Sequence, residues 1–230
     1  MRIVGHIGMR SGSKGVPGKN TRNMLGRPLV DWTIDLMRDH PLISDWVMST
    51  DDAAVYERSI SQGALPIGLR PASLAQDDTP KWRVWQHALE VAEKHAGSID
   101  VFVDLDCTHP LRIPEDVTGA IQLFQQEQPD MVMSVCGSRK NPYFNQVEPD
   151  ENGSLHVVKP LPNGVWSRQQ APTVYDHVGV VYVINKNYLR TAQQLYAGRV
   201  LPYVVPMMRS FDIDTEDDWS LVESIMSVGR

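Results

Sequence analysis

The chain has 230 residues, 42% of them hydrophobic and 22% charged, which is enough to bury the core of one substantial globular domain. Its formal net charge of −6 disfavours binding to a nucleic-acid polymer, because proteins of that class carry basic stripes. The chain does not open with a charged segment followed by an apolar one, and no apolar run reaches the roughly 18 residues of a membrane span. These features predict a cytoplasmic protein that binds neither nucleic acid nor membrane.

The first part of the chain alternates between strand and helix signals. An apolar run at residues 3–7 predicts a strand, and residues 28–39 carry apolar side chains at the i, i+3, i+4, i+7 spacing of a helix. A second strand is predicted at residues 46–48. The polar residues after it, ending in Asp52, predict the N-cap of a helix over residues 53–62.

The same alternation continues through the middle of the chain. A short strand is predicted at residues 65–69, and Thr79 before Pro80 suits the N-cap of the next helix. Residues 101–105 are mostly apolar on both faces, as in a central parallel strand. The other elements predicted here are helices over residues 82–92 and 115–126 and a strand over residues 131–135. The pattern predicts an α/β fold with a doubly wound, mainly parallel sheet.

Residues 137–172 interrupt this alternation. Their Asn-Pro, Asn-Gly and Pro-Asn-Gly turns separate short apolar pieces, which predicts an antiparallel hairpin arm inserted into a single domain of residues 1–230. Beyond the arm the sequence predicts a strand over 178–184, a helix over 186–196, a strand over 203–205 and a last helix from Thr215. Thr215 and Asp218 form a variant of the capping box at the start of that helix.

A basic, glycine-rich loop, GMRSGSKGVPGKN at residues 8–20, lies between the first strand and the first helix. In an open parallel sheet this position binds ligands, and backbone N–H groups of such a loop can approach phosphate oxygens closely. Arg10, Lys14 and Lys19 could neutralise much of a triphosphate. The loop is not a Walker loop, because Asn20 follows Gly18-Lys19 where Ser or Thr is required, and it contains no GxGxxG fingerprint.

A second candidate for chemistry lies near the end of the chain. Asp212 and Asp214 are two residues apart on a strand-like segment, so both carboxylates are expected on one face, where they could bind Mg²⁺. The alternative is a helix-capping acidic cluster, since Asp217 and Asp218 follow at once.

Several motifs together resemble one known family. RSGSKGVPGKN at residues 10–20 resembles the signature of the acylneuraminate cytidylyltransferases, which have a nucleotidyltransferase Rossmann-like fold. The further motifs follow in the family's order: STDD at 49–52, RPASLA at 70–75, THPLR at 108–112, RQQAP at 168–172 and FDIDT at 211–215. Within the family, LDCTHPLR at 105–112, NPYFN at 141–145 and YD at 175–176 resemble the CMP-legionaminic acid synthetase branch.

The resemblance implies transfer of CMP from CTP to the anomeric hydroxyl of a nonulosonic acid, with release of pyrophosphate, for surface glycan biosynthesis. It implies Mg²⁺ as cofactor and a homodimer formed through the inserted arm, with sites completed across the interface. Lys19 and Arg10 would be catalytic, and Asp212 and Asp214 would hold the metal. The implied nucleotide-binding residues are Arg10, Gly12, Ser13, Lys14, Gly15, Lys19, Asn20, Arg70 and Thr79. The implied sugar-acid-binding residues are Asp106, Asn141, Arg168, Gln169 and Asp176.

Two residues depart from the sialic acid enzymes of the family. Those enzymes usually carry Gln where this chain has Asp106 and Arg near the place of Asp176. The expected acceptor is therefore a nonulosonic acid of the legionaminic or sialic acid type, with diacetyllegionaminate preferred to N-acetylneuraminate. Two further functions stay open: a cytidylyltransferase for a different small or phosphorylated acid, and an inactive nucleotide-binding regulator. His6 is predicted to be a core histidine, and Cys107 and Cys136 are predicted to be buried, reduced thiols.

Overall fold

The sequence-predicted alternation of strands and helices is present in a computed structural model of the protein, which describes residues 1–12 and 15–228. Its strands are β1 (Ile3–Gly8), β2 (Asn23–Met24), β3 (Arg27–Pro28), β4 (Asp45–Ser49), β5 (Val101–Asp104), β6 (Met131–Gly137), β7 (Val147–Pro149), β8 (Leu155–Val157), β9 (Tyr175–Asn185) and β10 (Val200–Val204). Its helices are α1 (Leu29–Asp39), α2 (Ala53–Ser61), α3 (Lys81–Ala96), α4 (Pro114–Glu127), α5 (Lys186–Thr191) and α6 (Glu216–Val228).

The central sheet has the order β10-β6-β9-β5-β1-β4 within the described residues. β4, β1 and β5 are parallel to one another, and β6 is parallel to β10. β9 is the exception, because it runs antiparallel to both of its neighbours, β5 and β6. The expectation of a mainly parallel sheet is therefore confirmed.

Helices cover both faces of this sheet. On one face Val30 of α1 and Ile121 of α4 pack against Ile7 and Val103. The other face carries α3 and α5, whose apolar side chains pack against the opposite sides of the same strands. Because β5 is buried on both faces, residues 101–105 are mostly apolar and show no apolar/polar alternation.

The carboxyl ends of β1 and β5 form the topological switch point of the sheet. The chain leaves β1 towards β4 on one side, whereas it leaves β5 through α4 towards β6 on the other side. The loops after these two strands therefore diverge and leave a crevice between them, which is where open α/β sheets bind ligands.

Local capping chemistry was predicted well at two helices and wrongly at one. The Asp52 carboxylate accepts hydrogen bonds from the N–H groups of Ala54 and Val55 at the start of α2, as expected. At α6 the Asp218 backbone N–H donates to Thr215 Oγ1 at 3.2 Å, and the Thr215 N–H donates to the Asp218 carboxylate at 2.8 Å. Thr79, in contrast, caps nothing.

Pro80 occupies the N-cap position of α3 and makes no side-chain hydrogen bond there. Two other expectations are also corrected. Residues 65–69 form no strand, because Gly68 adopts a φ of +81° and only isolated bonds, such as that from Leu65 N–H to Trp46 O, join the segment to β4. The helix expected over residues 186–196 ends at Thr191.

The arm over residues 137–172 contains the expected antiparallel hairpin. β7 pairs with β8, with Val147 opposite Val157, and the turn between them is closed by the Asp150 side chain. The arm exposes large apolar side chains, with Leu155 69% and Trp166 83% exposed. Its proposed role in dimerisation stays a prediction. Among the described helices, none is long and apolar enough to cross a membrane.

Candidate active site

A cavity of about 440 Å³ lies at the carboxyl ends of β1 and β5. The loop after β1 forms one wall, and the loop after β5, together with the first turns of α3, forms another. Cationic, anionic and apolar side chains all reach it. The residues that line it and enter the argument below are His6, Gly8, Arg10, Gly15, Lys19, Asn20, Arg70, Thr79, Lys81, Val84, Trp85, Asp106 and Asp214.

The glycine-rich loop is tied to two other segments at this cavity. The ammonium of Lys19 contacts the carbonyl oxygen of Ile213 and lies 3.1 Å from the Asp214 carboxylate. Gly15 packs so closely against Asp214 that a β-carbon there would overlap the Asp214 backbone oxygen. The Asn20 side chain accepts a hydrogen bond from the Cys107 thiol at 3.1 Å, which joins the loops after β1 and β5.

Two arginines reach the cavity from different elements. Arg10, in the glycine-rich loop, forms an ion pair with Asp77. Arg70 is buried, and its guanidinium donates to the Ser49 hydroxyl at 3.0 Å and to the Ser49 carbonyl at 2.6 Å. Burial lowers the pKa of Arg70, although Asp51 opposes that change, and the Ser49 contacts fix its guanidinium at the cavity wall.

Four ionisable residues form a cluster at the inner end of the cavity, which we call the buried charge cluster: His6, Asp104, Lys81 and Asp106. His6 and Asp104 are directly opposite each other in the β1–β5 register, and His6 Nδ1 lies 2.5 Å from Asp104 Oδ1. Lys81, at the start of α3, bridges the two carboxylates at 2.9 Å from Asp104 and 2.5 Å from Asp106.

The residues of the buried charge cluster shift one another's pKa values. Burial alone would raise the pKa of Asp104, but the Lys81 ammonium and the His6 hydrogen bond outweigh it and lower that pKa to about 2. Burial lowers the pKa of His6 despite its contact with Asp104. Burial raises the pKa of Asp106, and the charge of Asp104 adds to this effect while Lys81 opposes it. A neutral imidazole therefore lies beside an ionised Asp104 that is held by Lys81.

Sequence reasoning placed His6 in the core, and its burial and hydrogen bond agree with that expectation. It missed that His6 also lines the cavity, and it missed Asp104 and Lys81 entirely. The available signal was one polar residue inside each of two apolar strand segments, VGHIG and VFVDL. Buried polar groups need partners, so two such residues on adjacent strands indicate a pair.

Of the two carboxylates predicted to bind metal, Asp214 lines the cavity and Asp212 does not. They are on an irregular segment rather than a strand, and Ile213 between them is buried while both carboxylates are exposed. The Ile213 N–H donates to the Thr108 carbonyl at 3.1 Å, which fixes the segment against the loop after β5. Although 45% of the Asp212 side chain is exposed, partial desolvation of its carboxylate by the surrounding loops raises its pKa to about 6. A hydrogen bond from Thr108 opposes that rise, and the negative charges of Asp214 and Asp106 add to it. Within residues 1–12 and 15–228, no group of three or more His, Cys, Asp or Glu is arranged as a metal site.

The structure brings most of the predicted nucleotide-binding residues together. Those that line the cavity are Arg10, Gly15, Lys19, Asn20, Arg70 and Thr79. Gly12 does not line it, and Ser13 and Lys14 lie outside the described residues.

Of the residues predicted to bind the sugar acid, Asp106 lines the cavity and the other four do not. The Asn141 side chain donates to the Pro172 carbonyl at 3.0 Å within the arm. Arg168 donates to the Arg139 carbonyl at 2.9 Å, also within the arm. Gln169 and Asp176 are exposed. In a single chain, these four residues therefore do not line the cavity.

Comparison with known proteins gives consistent results. A protein-family model described as "Cytidylyltransferase" matches residues 4–226. The chain is 31% identical to a CMP-N,N'-diacetyllegionaminic acid synthase of Campylobacter jejuni, covering 98% of this chain and 95% of that protein. It is 30% identical to a Legionella pneumophila protein of the same name, covering 100% and 98% of the two chains. A solved structure of CMP:2-keto-3-deoxy-manno-octonic acid synthetase complexed with CTP has a similar fold, with a TM-score of 0.72 over all of both chains at 17% identity.

Proposed function

The chain belongs to the cytidylyltransferase family, and we propose that it transfers CMP from CTP to a nonulosonic acid of the legionaminic type and releases pyrophosphate. The family and the likeness to the legionaminic branch, both expected from the motifs, are confirmed by the matches. The observation that carries the proposal is the convergence of Arg10, Lys19 and Arg70 on one cavity at the switch point of the sheet.

In the proposed reaction the anomeric hydroxyl oxygen of the acid attacks the α-phosphorus of CTP and gives up its proton to water, while the bond to the pyrophosphate oxygen breaks and pyrophosphate leaves. Such transfers depend mainly on positioning and on neutralisation of charge. Lys19 and Arg10 lie on the glycine-rich loop and supply cations for the triphosphate, with Lys19 stabilising the charge that develops at the α-phosphate. Gly15 lets this loop pack closely against Asp214, because a β-carbon there would overlap the Asp214 backbone oxygen.

Asp212 and Asp214 would hold Mg²⁺ in this proposal. The donor set fits the ion, because Mg²⁺ in nucleotide sites takes one or two carboxylates and completes its shell with phosphate oxygens and water. The two carboxylates lie on one short segment, and Asp214 of this segment lines the cavity beside Lys19, the cation that would contact the same phosphates. When bound, the metal would polarise the phosphoryl group and neutralise part of its charge.

Asp106 is the residue of the cavity best placed to contact the acceptor. Its carboxylate is oriented by Lys81 and remains partly exposed, so it can accept hydrogen bonds from hydroxyl or acetamido N–H groups of a sugar acid. A carboxylate here disfavours a second carboxylate nearby, so the acid group of the acceptor would point away from Asp106. In this orientation the carboxylate of the acceptor needs a cation at a position away from Asp106.

We place that cation, Arg168, on the arm of a second copy of this chain. The guanidinium of an arginine such as Arg168 can bind a carboxylate through two parallel hydrogen bonds, yet Arg168 does not line the cavity of its own chain. The exposed Leu155 and Trp166 give the arm apolar surface with which to dock on the other copy. The proposal is therefore a homodimer in which each arm completes the partner's acid-binding site.

The test of the activity is a pyrophosphate assay with CTP, Mg²⁺ and a panel of nonulosonic acids. We expect diacetyllegionaminate to be converted faster than N-acetylneuraminate. A second candidate function, transfer to a different small or phosphorylated acid, is favoured by the carboxylate of Asp106, and it would be supported if neither nonulosonate reacted while another acid did. Asp214→Asn should remove metal-dependent turnover with the fold intact, and full activity of this variant would contradict the metal assignment.

The test of the shared site is subunit complementation. Lys19→Ala removes the nucleotide half of the site and Arg168→Ala removes the acid half, so each variant alone should be inactive. In a mixed dimer one cavity combines an intact Lys19 with an intact arm of the other chain, and activity should return. Mixed dimers without activity would show that the arm does not act in the partner's site.

A further inference from the structure

His6 has one ring nitrogen whose role the reaction described above does not explain. Its Nδ1 lies 2.5 Å from Asp104 Oδ1, and Lys81 holds Asp104 in its ionised form. An ionised carboxylate only accepts hydrogen bonds, so Nδ1 must carry the proton and donate it. Nε2 of the neutral ring is then an acceptor. It is buried and has no hydrogen-bond partner among the described residues, which is an uncommon and costly condition.

The edge of the ring that carries Nε2 faces the cavity at Gly8. A β-carbon at Gly8 would lie 2.7 Å from His6 Cε1 and 3.5 Å from His6 Nε2. The same point is 3.4 Å from an amino nitrogen of Arg70. Because residue 8 has no side chain, the His6 ring packs directly over its α-carbon, and its Cε1–Nε2 edge lies near the Arg70 guanidinium. His6 and Gly8 both line the cavity, together with the apolar side chains of Val84 and Trp85.

This end of the cavity offers an acceptor and a donor side by side. His6 Nε2 accepts, whereas the Arg70 guanidinium has five N–H donors and uses two of them on Ser49. A flat ring that carries a donor next to an acceptor would satisfy both groups. Cytosine has this pattern, with an exocyclic N4 amine beside its N3 and O2 acceptors.

We propose that His6 is a specificity-determining residue for the nucleotide base, with Nε2 accepting a hydrogen bond from the cytosine N4 amine while Arg70 donates to the same edge of the ring. The inference rests on the proposed function, because it assumes that the cavity binds CTP with its triphosphate at Arg10 and Lys19. Asp104 and Lys81 act as positioning residues, since they hold the tautomer that makes Nε2 an acceptor.

The same geometry disfavours uracil. Uracil carries a carbonyl oxygen in place of the N4 amine, so two acceptors would face each other at His6. Sliding the base along its edge could bring the uracil N3–H to His6, but it would also move the phosphates relative to Arg10 and Lys19. A neutral His6 of fixed tautomer therefore favours CTP over UTP.

The experiment compares kcat/KM for CTP and UTP in the full-length protein and in three variants. His6→Leu removes the acceptor, and we expect it to lower the CTP/UTP ratio about tenfold or more, the range of one good base contact. His6→Gln keeps an acceptor oxygen and should retain part of the ratio. His40→Gln is the matched control, because His40 is also buried but its Nε2 is bonded near Pro114 and Thr118, away from the cavity.

The ratio separates specificity from a structural role, since a loosened fold would lower turnover of both nucleotides together. An unchanged ratio in folded His6→Leu would overturn the inference, as would a wild-type protein that does not prefer CTP. If His6→Leu does not fold, the CTP/UTP ratio of His6→Gln is compared with that of His40→Gln. Equal ratios in these two variants would overturn the inference. Calorimetric titration with CTP and UTP in Mg²⁺ buffer needs no acid acceptor. Absence of CTP binding there refutes the proposed function itself, whereas equal loss of both nucleotides in the His6 variants refutes only the role of His6.

Discussion

Replacing Lys81 by Met should destabilise the protein through Asp104, a carboxylate that is fully buried. Lys81 lies 2.9 Å from Asp104 and 2.5 Å from Asp106, and its ammonium also lies over the Tyr182 and Trp85 rings. Methionine fills the same space along α3 but leaves the Asp104 charge without its cation. The cost is therefore the energy of an uncompensated buried charge rather than lost packing.

The magnitude follows from the geometry. At 2.9 Å, Coulomb's law gives an attraction of about 6 kcal/mol at an effective dielectric constant near 20. Removing one partner of a buried pair typically costs about 3–5 kcal/mol. The Lys81 side chain is 37% exposed, so screening by water lowers the expected loss to about 2–3 kcal/mol. For a domain of this size that is a fall in Tm of about 4–12 °C.

The assay is urea denaturation followed by fluorescence and circular dichroism, with Lys94→Met as the matched control. Lys94 is on the same helix and lies 3.0 Å from Glu90, but both side chains are exposed, so its loss should stay under about 0.5 kcal/mol. The double variant Lys81→Met/Asp104→Asn also removes the charge of Asp104 and leaves only the partly exposed Asp106 without Lys81, so it should be more stable than Lys81→Met alone. The reasoning is refuted if Lys81→Met lowers the free energy of unfolding no more than Lys94→Met does. It is also refuted if adding Asp104→Asn to Lys81→Met lowers that free energy further.

Two further outcomes are expected from close packing in and near the cavity. In Gly15→Ala the added methyl group would overlap the Asp214 backbone oxygen, so the free energy of unfolding should fall by about 1–3 kcal/mol and calorimetry should show weaker CTP binding. The control is Gly137→Ala, whose methyl group would meet no atom within 4 Å and should leave stability nearly unchanged. Cys107 and Cys136 are both buried, and burial raises the pKa of Cys107 to about 12, so a thiol reagent at pH 8 should modify neither in the native protein and both in urea. Rapid modification of the native protein would contradict that placement.

The sequence predicts those parts of the fold that depend on nearby residues. The Asp52 cap and the Thr215–Asp218 box were found because capping chemistry operates within one turn of chain. The His6–Asp104 pair was missed because it depends on the register of β1 against β5, in which residues 98 positions apart become direct neighbours. Sequence periodicity identifies strands but does not specify which residues of two strands lie opposite each other.

The arm shows a second limit of sequence reasoning. Its turns predicted the hairpin, and the motif at residues 168–172 identified the family, yet Arg168 and Asn141 bond to their own arm rather than to the cavity. A sequence motif identifies residues that belong to a site, but it does not indicate which copy of the chain supplies them. In the proposed homodimer, the position of the arm on the second copy would depend on surfaces that meet only on association, so one chain is insufficient to predict it.

The cations of the cavity fall into two groups with different expected responses to salt. Lys19 and Arg10 pair with carboxylates that are 73% and 50% exposed, so exchanging those partners for phosphate costs about 1 kcal/mol or less each. Arg70 is instead buried on Ser49 and keeps its position. Electrostatic attraction of CTP therefore comes mainly from the outer pair and is screened over about 10 Å at 0.1 M salt. CTP affinity should fall with ionic strength, and Lys19→Met should flatten that dependence while Lys94→Met leaves it unchanged. If the dependence of CTP affinity on ionic strength is unchanged in Lys19→Met, the phosphates bind elsewhere in the cavity.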